Sequence, residues 1–400
     1  MTTELRLFGP EMLANPYPIY HRLRADQPVM RVPRLDAWVV TRYDAVNAAL
    51  RNPQLSSDRF PRARKRLAGK GLGNVIEDRM RSMIHMDAPD HTRLRSLVNK
   101  AFTPRAVNAM ESRIRTLVDE LLAAVRLQGH MDVIADLAYP LPVIVIAEML
   151  GIPAEDRSKF KQWSDEMSTL LSGDPASLPE ELLLKALKAR EELVDYFRDV
   201  ADRRRHELGN DLLSALLQAE EEGGRLTEDE LYSTVVLLLA AGNETTTNLI
   251  GNGLFALLRH EDQQRRVWDD PTLIPQAVEE MLRYDSPVQL TTRLATVDLE
   301  IHGTNIHKGE WLYLVIGAAN RDPEQFPEPD KFDVSRADNK HIAFGAGAHF
   351  CLGAPLARLE AQITLRALGQ RCPNLRLGAE NPEYRNNFNL RGLKSLPVTF

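Results

Sequence analysis

The chain of 400 residues contains only two cysteines, Cys351 and Cys372, and no long apolar run. Two thiols exclude a disulfide framework and are typical of proteins made in a reducing compartment. The longest apolar runs, such as residues 235–242 and 141–147, are far shorter than the ~20 residues that cross a bilayer. The first residues lead into no apolar segment of the signal-peptide kind. These features predict a cytoplasmic protein without a membrane anchor.

The sequence also lacks a strong excess of charge of either sign. Its 50 Lys and Arg residues stand against 56 Asp and Glu residues, which gives a net charge of −6. Nucleic-acid binding is therefore not expected. No internal repeat and no Gly/Ser-rich linker marks a second enzyme module, so a fused reductase is not expected either. With 44% hydrophobic and 26% charged residues, the chain has the composition of an ordinary globular protein.

Apolar residues recur at three- and four-residue spacing over most of the chain, which predicts amphipathic helices. The predicted helices cover residues 104–126, 156–172, 179–207, 227–259 and 272–284. Thr227 followed by three acidic residues is a favourable helix start. Alternating apolar residues between 290 and 316, and a β-branched and aromatic cluster at 37–41, predict a small sheet. The pattern indicates a mainly α fold with a smaller β part.

The segment from Phe344 to Glu360 is the most informative part of the sequence. It places Cys351 after glycines at 345 and 347, with a third glycine at 353. Glycines allow backbone angles that turn amide groups towards a sulfur atom. A helix expected to begin at Cys351 would lower the thiol pKa with its positive end. The segment therefore predicts a thiolate suited to binding iron, and a buried structural cysteine is the alternative.

The same segment matches every fixed position of the haem-binding loop of the cytochrome P450 family, F-G-x-G-x-H/R-x-C-x-G-x-x-L-A-x-x-E. Length alone would favour two or three domains. The resemblance instead implies the P450 fold as one large domain over residues 1–400. Its β-rich part would come mainly from about 1–60, 290–316 and 380–400. The resemblance also implies haem b as cofactor, Cys351 as the iron ligand, and a haem loop shaped by Phe344, Gly345 and Gly353.

A polar run interrupts the long apolar helix predicted over 227–259. Its sequence is Ala241-Gly242-Asn243-Glu244-Thr245-Thr246. Buried polar groups need partners, and Thr hydroxyls that bond back to helix carbonyls can open a local bulge. The run resembles the family's oxygen-activation motif, A/G-G-x-D/E-T-T/S. The resemblance implies that Glu244 and Thr245 deliver protons and that Gly242 lets a ligand approach. A helix that satisfies its hydroxyls internally is the alternative.

Glu280 and Arg283 lie three residues apart, so their side chains project from one helix face and can pair. Most such pairs are exposed and contribute little. Here a Pro-rich loop containing Lys331 follows, and together they resemble the family's E-x-x-R helix and the loop that it holds. Lysine replaces the usual base and makes a single point contact, so Arg336 is an alternative third member.

Four cationic side chains match the family's propionate-binding positions. His91 and Arg95 are four residues apart on a predicted helix, and Arg293 and His349 lie further along the chain. Charge-assisted bonds to the two haem propionates are the role that the resemblance implies. For each residue taken singly, a solvated surface charge is the alternative.

The resemblance outlines a mostly aliphatic substrate pocket. Its predicted members include the stretches 75–86 and about 165–185, together with Leu237, Leu238, Ala241, Val288, Leu290, Asn389 and Leu390. A basic run, Arg62 to Lys70, is either solvated or a docking site for an acidic substrate or carrier. An acidic ferredoxin would dock on another face, near Arg105 and Arg358.

The predicted activity is that of a haem-thiolate monooxygenase acting on a lipophilic small molecule. Electrons would come from a ferredoxin and an NAD(P)H-dependent ferredoxin reductase. One alternative is a peroxide-driven oxygenase, whose family signature lacks the acid-threonine pair that Glu244 and Thr245 form here. The other is a haem sensor without turnover, which would gain nothing from a proton-delivery motif. No residue predicts which compound is oxidised.

Overall fold

The computed structural model describes residues 9–72, 80–168, 178–221, 226–379 and 381–400. The chain divides into two compact units, each built from separated stretches. Unit 1 contains residues 1–55, 113–141 and 245–400, and unit 2 contains residues 56–112 and 142–244. The prediction of one domain over residues 1–400 stays a prediction.

Helices dominate the described residues, and ten short strands accompany them. The helices are α1 Pro10–Ala14, α2 Tyr17–Asp26, α3 Tyr43–Arg51, α4 Phe60–Ala68, α5 Asp90–Ala101, α6 Pro104–Ala109, α7 Glu111–Val125, α8 Pro140–Met149, α9 Arg157–Ser168, α10 Glu180–His206, α11 Leu212–Glu221, α12 Glu228–Arg259, α13 Glu261–Asp269, α14 Ile274–Tyr284, α15 Ile316–Ala319 and α16 Ala354–Arg371. The strands are β1 Val29–Val32, β2 Ala37–Val40, β3 Leu55–Ser56, β4 His130–Asp132, β5 Thr291–Ala295, β6 Leu299–Ile301, β7 Thr304–Ile306, β8 Trp311–Leu314, β9 Arg376–Leu377 and β10 Pro397–Thr399.

Unit 1 contains the main sheet, with strand order β1-β2-β8-β5-β3. Strands β2 and β8 run parallel, with Val40 opposite Leu314, while β5 runs antiparallel to β8. Alternate residues of β8 are buried, and Leu312 and Leu314 belong to one apolar cluster with Val40 and Ile316. This burial is the physical reason for the alternation read from the sequence. Two smaller sheets pair β4, β10 and β9, and β6 with β7.

Unit 2 is largely helical, with α10 packed against α9 and α11. Phe160 on α9 makes edge-to-face contacts with Tyr196 and Phe197 on α10, with ring centroids 5.5 and 5.6 Å apart. The basic run from Arg62 lies on α4, whose buried Leu67 packs in a cluster with residues of α10. Helix α4 therefore carries the basic residues from Arg62 to Arg66, and Lys70 lies just beyond its end.

The predicted helices are confirmed, with changes at their ends. The segment 104–126 forms two helices, α6 and α7, and residues 169–172 of another prediction lie outside the described residues. Helix α12 begins as predicted: Thr227 Oγ1 accepts from the Glu230 N–H at 3.2 Å, and the Thr227 N–H donates to Glu230 Oε2 at 3.0 Å. This reciprocal pair fixes the helix start. In the described ranges, no helix combines the length and hydropathy needed to cross a bilayer.

Candidate active site

Cys351 lies in unit 1, half-buried and free of any disulfide, after a tight turn at Gly347–His349. Its backbone N–H donates to the Phe344 carbonyl oxygen at 2.9 Å, which closes the loop on itself. The following helix begins at Ala354, with Gly353 as N-cap, not at Cys351 as expected. Proline is favoured in the first helical turn, and Pro355 stands there, so the helix starts after the cysteine turn rather than at it.

Glycines shape this loop for two different reasons. Gly345 and Gly347 both have φ of 72°, a conformation that side chains disfavour. A Cβ at Gly347 would also lie 2.9 Å from the Leu50 carbonyl oxygen. At Gly353 a Cβ would lie 4.0 Å from Cys351 Sγ. The first two glycines therefore serve the backbone, and the third leaves space beside the sulfur.

Helix α12 has one partly exposed face in an otherwise buried stretch. Between Leu231 and Leu258 every residue is buried except Val236, Ala241, Gly242 and Thr245. The last three recur at positions that share a helix face. Glu244, between them, is 5% exposed. The predicted oxygen-activation residues thus lie at the place where this helix is open.

The glycines of α12 differ in what surrounds them. A Cβ at Gly242 would find Ile146 Cγ1 as its nearest neighbour at 3.9 Å, an ordinary contact. A Cβ at Gly251 would lie 2.5 Å from Ile134 Cδ1, and one at Gly253 would lie 2.6 Å from Met281 Sδ. At Gly251 the end of the Ile134 side chain could shift, but at Gly253 the Met281 side chain is close along its length, with its Cβ at 2.9 Å, so packing requires glycine at 253 and not at 242.

The predicted bulge in α12 is wrong, because the α-helix is continuous from Glu228 to Arg259. Polar side chains of this stretch bond to neighbouring segments. Asn243 Nδ2 donates to Ser164 Oγ at 2.9 Å in unit 2, and Thr247 Oγ1 donates to the Ala138 carbonyl at 3.1 Å in unit 1. The polar side chains at these two positions are therefore satisfied outside the helix.

Glu280 and Arg283 on α14 form a fully buried, two-point ion pair. Arg283 Nε and Nη2 donate to the two carboxylate oxygens of Glu280, each at 2.8 Å. The guanidinium also donates to the backbone carbonyls of Asn320, Pro329 and Lys331 at 2.7–3.1 Å. One arginine therefore holds three points of the irregular segment that precedes the cysteine loop.

Arg336, not Lys331, completes this network. Arg336 Nε lies 3.2 Å from Glu280 Oε2, and the side chain of Arg336 is 11% exposed. The Lys331 ammonium lies 3.7 Å from Glu328, and its side chain is 54% exposed. Lys331 contributes only its carbonyl oxygen, so the prediction for its side chain is wrong. A planar guanidinium reaches a carboxylate and nearby carbonyls together, which an ammonium on a flexible stem does less well.

Glu279, adjacent to Glu280, was not identified from the sequence. Arg358 donates to both of its carboxylate oxygens, at 2.7 and 2.8 Å, and His341 Nε2 lies 3.0 Å from Oε2. Burial alone would raise the pKa of Glu279, but the hydrogen bonds from Arg358 and His341 lower it to about 2. Arg358 is therefore the partner of a carboxylate within the protein, whereas the sequence analysis expected it only as a charge near a docking face.

The predicted propionate-binding residues lie in both units. In unit 1, Arg293 is buried on β5 and donates to the Thr292 carbonyl at 2.9 Å, and His349 is half-buried in the turn before Cys351. In unit 2, His91 is buried on α5, and Arg95 follows one turn later. Burial lowers the pKa of His91, and the positive charge of Arg95 lowers it further. His91 is thus held close to the positive charge of Arg95.

Part of the predicted pocket is assembled in unit 1. Val288 pairs with Leu390 as an antiparallel bridge, and the Gln289 N–H donates to the Asn389 carbonyl at 2.8 Å. Leu237 and Leu238 are buried in unit 2, on the same helix as Ala241. Residues 75–79 and 169–177 of the predicted pocket lie outside the described residues.

Substitution of Gly242 by alanine tests the interpretation of the open helix face. We expect Gly242→Ala to keep or raise the free energy of unfolding, since alanine favours a helix by ~1 kcal/mol. It should also weaken binding of an iron-ligating probe such as imidazole, measured by spectral titration. Gly253→Ala is the matched control and should destabilise by about 1–3 kcal/mol through overpacking. Unchanged imidazole affinity in Gly242→Ala would contradict the interpretation.

Paired variants test which base completes the Glu280 network. Arg336→Ala should lose haem during purification, because it leaves the buried Glu280 with fewer charge-assisted bonds. Lys331→Ala should retain haem like the wild type, since its ammonium is exposed. Haem content per chain, measured by pyridine haemochrome absorbance, checks both. Loss of haem in Lys331→Ala and retention in Arg336→Ala would instead support Lys331 as the third member of the network.

Comparison with known proteins agrees with these observations. A family model described as cytochrome P450 matches residues 29–387. The cytochrome P450 monooxygenase PikC of Streptomyces venezuelae is 42% identical, with 99% of this chain and 93% of that protein covered. The 6-deoxyerythronolide B hydroxylase of Saccharopolyspora erythraea is also 42% identical, with 100% and 99% covered.

Solved structures show the same fold. P450BioI, in complex with an acyl carrier protein ligated to hexadec-9Z-enoic acid, matches with a TM-score of 0.89 at 40% identity over 98% of this chain and 99% of that chain. CalO2 matches with a TM-score of 0.91 at 36% identity, covering 98% of both chains. The predicted fold class is confirmed. The chain belongs to the cytochrome P450 family and is a monooxygenase, an oxidoreductase whose family implies a haem cofactor.

Proposed function

We propose that this protein is a haem-thiolate monooxygenase that inserts one oxygen atom from O2 into a lipophilic small molecule. The observation that carries the proposal is the half-buried Cys351, held in a glycine-shaped loop that begins where the Glu280–Arg283 network ends. The proposed cofactor is haem b, with Cys351 as its iron ligand. A thiolate in that position favours O–O bond cleavage when haem is bound.

The residues present fit such a group. Cationic donors suit its two carboxylates, and the candidates are His91, Arg95, Arg293 and His349. A Cβ at Gly353 or at Gly242 would make only ordinary contacts within the protein, at 4.0 Å from Cys351 Sγ and 3.9 Å from Ile146 Cγ1, so protein packing requires neither glycine. We propose that both leave room for a bound molecule. Phe344 and Gly345 hold the loop that presents the cysteine.

The chain's own contribution to the reaction is proton supply and positioning. Glu244 is buried, and its neighbour Thr245 lies on the partly exposed face of α12. We propose that the Glu244 carboxyl takes up protons and that the Thr245 hydroxyl holds them at the open face. A positioned carboxyl group and a hydroxyl are side chains of the kind that carry general acid–base catalysis. The individually named pocket residues Leu237, Leu238, Ala241, Val288, Leu290 and Leu390 are aliphatic, and we propose that they exclude water and orient an apolar substrate.

Electrons are proposed to come from a ferredoxin and its NAD(P)H-dependent reductase. Phe350, directly before Cys351, is 43% exposed, and we propose that it offers an apolar contact to a partner beside the cysteine loop. Arg105 is exposed on α6 and remains a candidate docking charge. The charge of Arg358 is compensated by Glu279. A cytoplasmic location also stays a prediction.

Substitution of Thr245 tests the proposed activity. With a ferredoxin, its reductase, NADPH and a substrate found by spectral screening, the wild type should form oxidised product in step with NADPH consumption. Thr245→Ala should consume NADPH but release hydrogen peroxide in place of most product, because protons are no longer positioned. Product is measured by mass spectrometry and peroxide by a coupled peroxidase assay.

The matched control is Thr247→Ala, which removes a hydroxyl bonded to the Ala138 carbonyl and should keep product and NADPH coupled. Equal coupling in wild type and Thr245→Ala would contradict the proton role. Full-rate turnover with peroxide alone would favour the peroxide-driven alternative, and haem binding without any product would favour a sensor.

A further inference from the structure

Two consecutive carboxylates on α14 hold two consecutive parts of the chain. Glu280 bonds to the segment before residue 340 through Arg336, Asn339 and the Asp333 N–H. Glu279 instead bonds to His341 and Arg358. Since α14 also packs against α16, Glu279 connects one rigid helix to another across the cysteine loop.

The two partners of Glu279 stand on either side of Cys351 in the sequence. His341 precedes the loop, and Arg358 lies in the second turn of α16 after it. The residues between them form turns, one short 3-10 helix at Gly347–His349 and irregular stretches until α16 begins. One carboxylate therefore closes this irregular segment at both ends, which reduces the conformations open to it.

The first branch of the contact passes through His341. Its Nδ1 accepts from the Ala343 N–H at 3.2 Å, so the ring proton lies on Nε2, and Nε2 donates to Glu279 Oε2 at 3.0 Å. The His341 side chain is 3% exposed. This branch fixes the backbone immediately before Phe344.

The second branch passes through Arg358. Its guanidinium donates twice to Glu279 and lies over the Phe344 ring, with Cζ 4.6 Å from the ring centroid. Such stacking is favourable for a guanidinium. The Phe344 carbonyl in turn accepts the Cys351 N–H at 2.9 Å. Both branches thus meet at Phe344, one hydrogen bond from the cysteine backbone.

We infer that Glu279 is a positioning residue for Cys351: through His341, Arg358 and Phe344 it holds the cysteine loop in the form that presents the sulfur. The inference rests on the proposed role of Cys351 as iron ligand. It adds a second role for Glu279, since its negative charge offsets that of Arg358 close to the loop. Loss of this charge should therefore affect both the persistence of thiolate ligation and the ease of reduction.

Glu279→Gln is the informative variant, because glutamine keeps the shape and one carbonyl oxygen but removes the charge. In haem-loaded, reduced, CO-bound protein under mild denaturant, we expect thiolate ligation to be lost roughly tenfold faster than in the wild type, as for loss of a charge-assisted hydrogen bond. We also expect a more positive reduction potential, because a compensating negative charge is gone. The Soret band position and a redox titration measure the two effects.

The matched control is Asp119→Asn. Asp119 lies on α7, and Arg371 at the end of α16 donates to both of its carboxylate oxygens, at 2.9 and 2.7 Å. This variant therefore removes the charge of a carboxylate that also pairs with an arginine of α16, but far from the cysteine loop. It should leave the ligation lifetime and the potential as in the wild type. Indistinguishable behaviour of Glu279→Gln and Asp119→Asn would overturn the inference.

Arg358→Lys tests the same inference if Glu279→Gln does not retain haem. It keeps the charge but loses the planar two-point contact, so we expect faster loss of thiolate ligation with little change in potential. A wild-type lifetime in Arg358→Lys would overturn the inference. A wild type that never shows thiolate ligation would instead contradict the proposed function, so the two failures are distinguishable.

Discussion

The structure around the cysteine depends on the buried ion pair between Glu280 and Arg283. Burying two charges is costly unless nearly every donor and acceptor is satisfied. Here the carboxylate receives bonds from Arg283, Arg336, Asn339 and a backbone N–H, and Arg283 spends its other donors on backbone carbonyls. Those carbonyls belong to an irregular segment that has no sheet or helix partners for them. The ion pair therefore supplies these carbonyls with the hydrogen-bond donors that a helix or a sheet would otherwise provide.

The same logic extends along α14 to the cysteine loop. Glu279 provides the next anchor, and the loop that follows needs positive φ at Gly345 and Gly347 to turn back on itself. Cys351 is thus presented by a segment that has little regular structure of its own, held from one helix by two neighbouring carboxylates. In its proposed role as iron ligand, Cys351 would owe its placement to polar contacts at a distance from the sulfur.

Sequence patterns predicted the long elements well because burial repeats over many residues, as in α10, α12 and α14. The strands β4 and β9 were not predicted: each has two or three residues and pairs with β10, far away in the sequence, so no local alternation marks them. The start of α16 was predicted at Cys351, three residues too early. The residues before Pro355 form a turn, and the helix begins only at Ala354.

Within the candidate site, motif spacing singled out Glu280, Arg283, Cys351 and the polar run 241–246 of α12, which contains the partly exposed Gly242 and Thr245. It could not decide between Lys331 and Arg336, because the path of an irregular loop determines which base reaches a buried carboxylate. Glu279 gave no separate signal, since an acidic residue next to Glu280 is common on a helix surface. The predicted bulge is absent from the continuous helix α12, and two of its polar residues, Asn243 and Thr247, bond instead to Ser164 and Ala138, partners that no local sequence pattern reveals.

The spectrum of the reduced protein with carbon monoxide tests the central claim most directly. If Cys351 binds the haem iron as a thiolate, the folded, haem-loaded wild type shows the long-wavelength Soret band of thiolate ligation, and Cys351→Ser lacks it. A wild type with full haem content and native circular dichroism that shows only the short-wavelength band would contradict the account.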